Sequence, residues 1–309
     1  PSGLIAEREE RILPVRHFHV VFTLPSELRV VARSDPRAVY DLLFAAASET
    51  LLTLGRDRLG AKLGVTMVLH TWTRELQFHP HVHCVVTAGG LTEDGGWAAT
   101  HPRFLFPVAV MRKLFRGIVR SGLRRRFDAG KLRVPDHLTE RSSFRALLRS
   151  LHRKQWVVYA KAPFQGAHHV FRYLGRYTHR VGISDQRLVA LGERTVTFRT
   201  RGAAQITLPV DEFIRRFLLH VLPDNFHKIR HYGLYSGSAV RNDLPIARVV
   251  VRDLPIVRHR HHPARAHSDR GPAAMPRLRC PLGRLPLDCA SDFGLRLLWP
   301  PGRAPPDTS

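Results

Sequence analysis

Apolar residues recur along this chain at two periods, and the changes from one to the other mark out strands and helices. Val15 to Leu24 (VRHFHVVFTL) is dense in β-branched and aromatic residues and predicts a strand. Pro25, Ser26 and the Asp35-Pro36 pair then carry helix-start signals. From Pro36 to Leu54 the positions of Val39, Leu42, Leu43, Ala46, Leu51 and Leu54 have the spacing of an amphipathic helix. Val65–Trp72 and His81–Thr87 predict two strands joined by a polar loop, with turns at Gly89-Gly90 and Gly95-Gly96. Helical spacing returns over Val108–Phe127 and Phe144–His152, then a short strand over Gln155–Ala160 and a helix around His168–Thr178. Val181–Ser184, Arg187–Leu191, Thr195–Thr200 and Gln205–Leu208 predict strands or hairpin arms, and Asp211–Leu222 a last helix.

Strands and helices mixed through short connections argue an α+β fold, with a mainly antiparallel central sheet flanked by helices. The pattern fades near residue 240. After Lys228 there is no Lys and no Glu, and eleven of the 22 prolines lie beyond residue 240. Such a composition disfavours long helices and predicts a mostly irregular tail. The expected division is therefore residues 1–240 as one folded domain and residues 241–309 as an Arg/Pro-rich tail. The tail's bias towards Arg, Pro, Ala, Leu and Gly is what GC-rich DNA gives when read out of frame, so a degenerate segment is expected there. The chain starts at Pro1 and not at Met, which suggests truncation or processing.

Charge narrows the classes of partner. Forty-nine Lys and Arg against 25 Asp and Glu give a net charge of +24. An excess of that size favours a polyanion, because binding releases condensed counterions. Nucleic acid is the first candidate and an anionic membrane surface the second. No uninterrupted apolar run approaches the roughly 20 residues of a membrane span, and no signal peptide opens the sequence. Three cysteines, Cys84, Cys280 and Cys289, make a disulfide framework implausible, so a reducing cytoplasm fits.

The densest chemical signal is Phe78-His79-Pro80-His81-Val82-His83-Cys84. On a strand, His81 and His83 share a face, and two imidazoles converging from one strand form half of a divalent-metal site. If the preceding strand pairs through a loop from Thr73 to Pro80, His70 lies opposite His83 and Trp72 opposite His81. His70 is then the third ligand on that face, with Glu75, Gln77 and His79 as the alternatives. Nineteen histidines also produce His-x-His spacings by chance, and His259, His261 and His262 in the tail are best read so.

A second signal is Arg172-Tyr173-Leu174-Gly175-Arg176-Tyr177-Thr178-His179-Arg180. Tyrosines four apart share a helix face. A phenol can act as a covalent nucleophile, and Arg172, Arg176 and Arg180 could hold a phosphate beside it. A pair of tyrosines closing a helix–sheet interface is the structural alternative. A metal site, a tyrosine nucleophile and a basic surface together make a coherent phosphoryl-transfer set. Arg112, Lys113, Arg116, Arg120 and the run Arg124, Arg125, Arg126 fall along one helix as candidate DNA-phosphate contacts, with a solvated face as the alternative.

These residues also carry a family resemblance. His81-Val82-His83 resembles the His-hydrophobe-His motif of the HUH nucleases, and Tyr173 and Tyr177 resemble the paired tyrosines of their two-tyrosine class. HFHVVFTLP (17–25), LLFAAASETLLTL (42–54), HPHVHCVV (79–86), WVVYAKAPF (156–164), YLGRYTHRVGIS (173–184) and EFIRRFLLHVLP (212–223) are similar to the insertion-sequence-91 family of rolling-circle transposases. The likeness spans about residues 10–237. It implies histidines on a central strand holding Mg²⁺ or Mn²⁺, with a tyrosine helix beside them. Tyr173 or Tyr177 would then attack single-stranded DNA at a transposon end, leaving a 5′-phosphotyrosine and a free 3′-OH. The other tyrosine would serve later cleavage or strand transfer at the target DNA. A Cys-rich zinc segment usual in that family has no counterpart here, and the chain beyond about residue 240 departs from the pattern. Competing readings are a non-catalytic nucleic-acid-binding protein, a decayed transposase remnant, and metal-dependent hydrolysis by water without a covalent adduct.

Overall fold

The computed structural model of the protein describes residues 12–164 and 182–253. The element order is β1 (His17–Thr23), α1 (Arg29–Ser34), α2 (Pro36–Leu59), β2 (Ala61–Trp72), β3 (Phe78–Thr92), β4 (Trp97–Ala99), α3 (Val108–Asp128), α4 (Arg141–Arg153), β5 (Val158–Phe164), β6 (Leu188–Leu191), β7 (Thr195–Arg199), β8 (Gln205–Pro209), α5 (Val210–Leu218), β9 (Ile229–Gly233) and α6 (Gly237–Arg252). The central sheet runs β5-β1-β3-β2-β9 with β4 added to β3, and every pairing in it is antiparallel. A small antiparallel sheet, β6-β7-β8, stands apart from it. The fold is thus α+β with a mainly antiparallel sheet, as the sequence pattern argues.

Strand periodicity gives the central sheet two unlike faces. On one, Phe18, Val20 and Phe22 of β1, Leu63, Val65, Met67 and Leu69 of β2, and Val82, Cys84 and Val86 of β3 join the main core. The helices α2, α3 and α4 cover this face with residues such as Leu43, Leu51, Phe115, Val119, Phe144 and Leu148. Phe115 sits between Phe22 and Trp156, with ring centroids 4.9 and 5.5 Å away. Each such side chain contributes about 1.5–3 kcal/mol by leaving water. The other face carries His17, His19, Thr23, Thr66, His70, His81, His83 and Thr87, all buried. The sheet thus sets five histidines in its interior, where a polar group costs free energy unless it finds a partner.

Local signals set the element ends. Asp35 accepts a hydrogen bond from the amide of Ala38 at 3.2 Å, Pro36 occupies the first helical turn, and Gly60 closes α2 in the left-handed conformation. By length and composition α2 could cross a membrane, but 67% of its apolar window is buried, and it is the core helix of this fold.

Three expectations are corrected. The chain beyond residue 240 does not become irregular at once. Gly237–Arg252 forms α6 with Pro245 inside it, because Leu244, Ala247 and Val251 make an apolar stripe that packs with Leu13, Leu91, Leu234 and Tyr235. Tertiary burial outweighs the poor helix composition there, and Asp211–Leu222 is consequently not the last helix. That helix is shorter than expected, Val210–Leu218. Within Val181–Ser184, residues 182–184 form no strand; Gly182 takes φ +63° and the chain turns into a 3-10 segment, Asp185–Arg187. The helix expected around His168–Thr178 lies outside the described residues, as does the chain from residue 254 onward.

Candidate metal centre

The site is built on the hairpin of the two central strands. After Trp72, the amide of Thr73 donates to the Gln77 carbonyl at 3.0 Å, and β3 begins at Phe78. The turn is therefore tighter than a Thr73–Pro80 loop. The resulting register pairs His70 with His81, Val68 with His83 and Trp72 with Phe78, in place of the expected pairing of His70 with His83 and Trp72 with His81. At His70 the difference is two residues, so the three histidines keep a common face; at Trp72, past an irregularity in the ladder, it is three. The turn is held from outside: Leu76, fully buried with φ +56°, packs with Phe198 and Leu208 of the small sheet. His220 donates from Nε2 to the Leu76 carbonyl at 3.3 Å and accepts from Thr71 Oγ1 at 3.2 Å.

This register gathers three imidazoles. One ring nitrogen from each of His70, His81 and His83 lies within 4.8 Å of the others, and all three residues are buried. Ring centroids are 4.3 Å apart for His70 and His83, 5.4 Å for His70 and His81, and 4.9 Å for His81 and His83. Neighbours orient the rings. His81 Nδ1 donates to the carbonyl of His79 at 2.6 Å, which places its proton on Nδ1 and assigns coordination to Nε2. His19 of β1 meets His83 through a 2.9 Å contact between His19 Nε2 and His83 Nδ1, the two rings lying nearly parallel at 5°. Trp72 stacks on His70 at 4.9 Å, and the Lys228 ammonium lies over the Trp72 ring at 5.0 Å.

Burial and neighbouring charges disfavour protonation of the residues around the cluster. Burial, then the Lys161 and His81 charges, pushes His19 down to about 3. Burial, then His81 and Arg29, pushes His79 down to about 3. Burial alone brings Lys228 down to about 8. Unprotonated imidazoles are the form that binds metal. Three imidazole nitrogens converging from two adjacent strands are a donor set that would suit a divalent first-row ion.

Of the alternatives to His70, Glu75 is half-buried and Gln77 is exposed in the turn, and neither belongs to the cluster. His79 touches His81 ring to ring at 5.3 Å but turns its Nδ1 to Arg29 at 3.3 Å. His19 is the residue that sequence reasoning passed over. His17-x-His19 repeats the His81-x-His83 spacing on the neighbouring strand, and that repetition was the available signal. Tyr173, Tyr177, Arg172, Arg176 and Arg180 lie outside the described residues. The three consecutive arginines of α3 separate: Arg124 is exposed, Arg125 lines a shallow groove with Glu49 and Leu114, and Arg126 is half-buried near Gly122.

Comparison with known proteins follows the same lines. Residues 64–243 match the family Y2_Tnp, described as "Putative transposase". The chain is 47% identical over 249 residues to "Putative transposase y4qJ" of Sinorhizobium fredii, covering 77% of this chain and 62% of that protein. It is 30% identical over 236 residues to "Transposase for insertion sequence element IS801" of Pseudomonas savastanoi pv. phaseolicola, covering 74% of this chain and 56% of that one. The chain thus spans about three fifths of the length of these curated relatives. The stretch matched by the family contains His70, His81 and His83 and the Tyr173–Tyr177 segment, and the chain belongs to the Y2_Tnp transposase family.

Proposed function

We propose that this chain is the nicking and joining unit of a rolling-circle transposase that acts on single-stranded DNA at transposon ends and on target DNA in the cytoplasm. The observation that carries the reading is the buried cluster of His70, His81 and His83 within a chain of this family. These three residues would hold Mg²⁺ or Mn²⁺; when bound, the ion polarises the scissile phosphodiester. Imidazole nitrogen suits Mn²⁺ and later first-row ions better than Mg²⁺, so the donor set favours Mn²⁺ of the two. Tyr173 or Tyr177 supplies the nucleophile. Its phenolate oxygen bonds to phosphorus, the bond to the 3′ oxygen breaks, and that oxygen takes a proton to become a 3′-OH. The phosphate stays on the tyrosine as a 5′-phosphotyrosine, and the other tyrosine serves the later cleavage or joining step. Arg172, Arg176 and Arg180 hold the phosphate beside the phenols, and Arg124, Arg125 and Arg126 contact the DNA backbone farther away.

A covalent-adduct assay tests this. Protein is mixed with single-stranded oligonucleotides covering the flanking element's ends, with Mg²⁺ or Mn²⁺, and run on a denaturing gel. A retarded band that disappears with EDTA and in the Tyr173→Phe/Tyr177→Phe variant is the expected result. Cleavage without an adduct would assign the attack to water, and DNA retention without cleavage under either ion would reduce the chain to a binding protein.

A further inference from the structure

The helical layer on the apolar side of the sheet presents a second, separate concentration of charge. Between residues 108 and 153, thirteen Lys and Arg stand against three Asp and Glu. The structure arranges most of them in two rows. Arg112, Arg116, Arg120 and Arg124 recur every four residues on α3, and Arg141, Arg145, Arg149 and Arg153 do so on α4. Each row is about 18 Å long at 1.5 Å per residue. The α3 row reaches across to α4: Arg116 donates to the carbonyl of His152 at 2.9 Å, and Arg120 to the carbonyl of Leu148 at 3.0 Å and to His152 Nδ1 at 3.0 Å. Two guanidiniums are thereby fixed in place before any ligand arrives. Of the three acids, Asp128 is paired with Arg141 at 3.1 Å. The charges around His152, which are Arg120, Arg116 and Arg153, all act against its protonation.

Like charges four apart oppose helix formation. Two such rows on adjoining helices make a surface that a polyanion would relieve. The aromatics of the two helices narrow its kind. Phe115 and Phe144 are buried, and Phe127 stacks on Phe144 with centroids 4.0 Å apart. No phenyl ring on α3 or α4 is exposed for base stacking, which is how single-stranded nucleic acid is held, and the exposed His152 ring is engaged by Arg120. A face of guanidiniums, two of them fixed, with no exposed phenyl ring suits a phosphate backbone whose bases are already paired, and an 18 Å row covers about five base-pair steps at 3.4 Å each.

We propose that the α3–α4 face binds the backbone of double-stranded DNA, on the side of the sheet opposite the histidine centre, so that the protein holds a duplex and a single strand at once. The test uses the full 309-residue chain. Binding of a 30-bp duplex is measured over a range of salt for the parent, for Arg145→Gln/Arg149→Gln/Arg153→Gln, and for the matching triple Lys variant, each with its melting temperature checked. These three arginines are exposed and outside the main core. The Gln variant is expected to lower the slope of log K against log salt by about 3, near 0.9 for each phosphate left without its cation, and to weaken duplex binding about a hundredfold or more at 0.1 M salt. The Lys variant keeps the slope. Adduct formation on a short single-stranded oligonucleotide stays at the parent level, and because duplex binding is read separately, absence of any adduct in the parent would overturn the nicking reading alone. An unchanged duplex slope in the Gln variant would overturn this proposal. So would an equal weakening on the single strand, or polyglutamate competing as well as duplex DNA.

Discussion

At the scale of single residues, the metal centre depends on how its rings are aimed. If His83 coordinates through Nε2, its Nδ1 proton points to His19 Nε2 at 2.9 Å, so His19 must be neutral and accept. Outer partners of this kind set ligand tautomer and orientation, and their loss costs about 10–100-fold in metal affinity. His19→Ala is therefore expected to weaken Mn²⁺ binding by that range, followed calorimetrically without DNA, while His19→Gln, which keeps an acceptor near the same place, recovers part of it. Parent-like affinity in His19→Ala would show that the contact does not aim His83. His70→Ala, His81→Ala and His83→Ala should each abolish binding, and Mn²⁺ should support adduct formation at lower concentration than Mg²⁺. Equal requirements for the two ions would contradict the nitrogen-donor argument.

At the scale of elements, the hairpin β2–β3 decides which residues meet. A one-residue insertion between Thr73 and Gln77 that shifts the pairing would turn His81 and His83 away from His70, whereas a two-residue insertion preserves the face. The first should lose metal binding and the second keep a measurable part, by the same calorimetry. Leu76→Ala, which removes a fully buried side chain from the cluster holding the turn, should cost about 2–4 kcal/mol in urea unfolding. Most of this hairpin is legible in the sequence: period-2 spacing puts His81 and His83 on one face, and His70 joins them under either register. The register itself is not legible, because it depends on Phe198, Leu208 and His220, more than 100 residues away, gripping Leu76 in the turn. The same holds for α6. Its composition reads as irregular chain, and only the presence of Tyr235 and Leu13 opposite its apolar stripe makes a helix worthwhile. His19 escaped for a related reason: its His-x-His spacing is visible in the sequence, but its meeting with His83 across 64 positions is not.

At the scale of the molecule, buried neutral histidines tie stability to pH. His17, which meets the Tyr235 hydroxyl at 2.9 Å, is brought down to about 4 by burial, and His220 likewise to about 4. In the unfolded chain both titrate near 6.5. As pH falls, the unfolded chain takes up these protons first, so their contribution is intact above about 6.5 and is lost progressively towards 4. The unfolding free energy from urea titrations, and with it the midpoint, should drop steadily over that window, by at most about 3 kcal/mol for each residue. A midpoint that is flat from pH 7 to 5 would mean that these imidazoles are solvated. The small cluster joining Leu13 to Leu244, Ala247 and Val251 has a different consequence. It brings the first and last described stretches of this fold into contact, so a short peptide could join residue 13 to residue 253 without disturbing the sheet. New ends could then be opened in the exposed β7–β8 turn at Gly202. The fold is thus open to circular permutation, with its order of strands in space independent of where the polypeptide is cut.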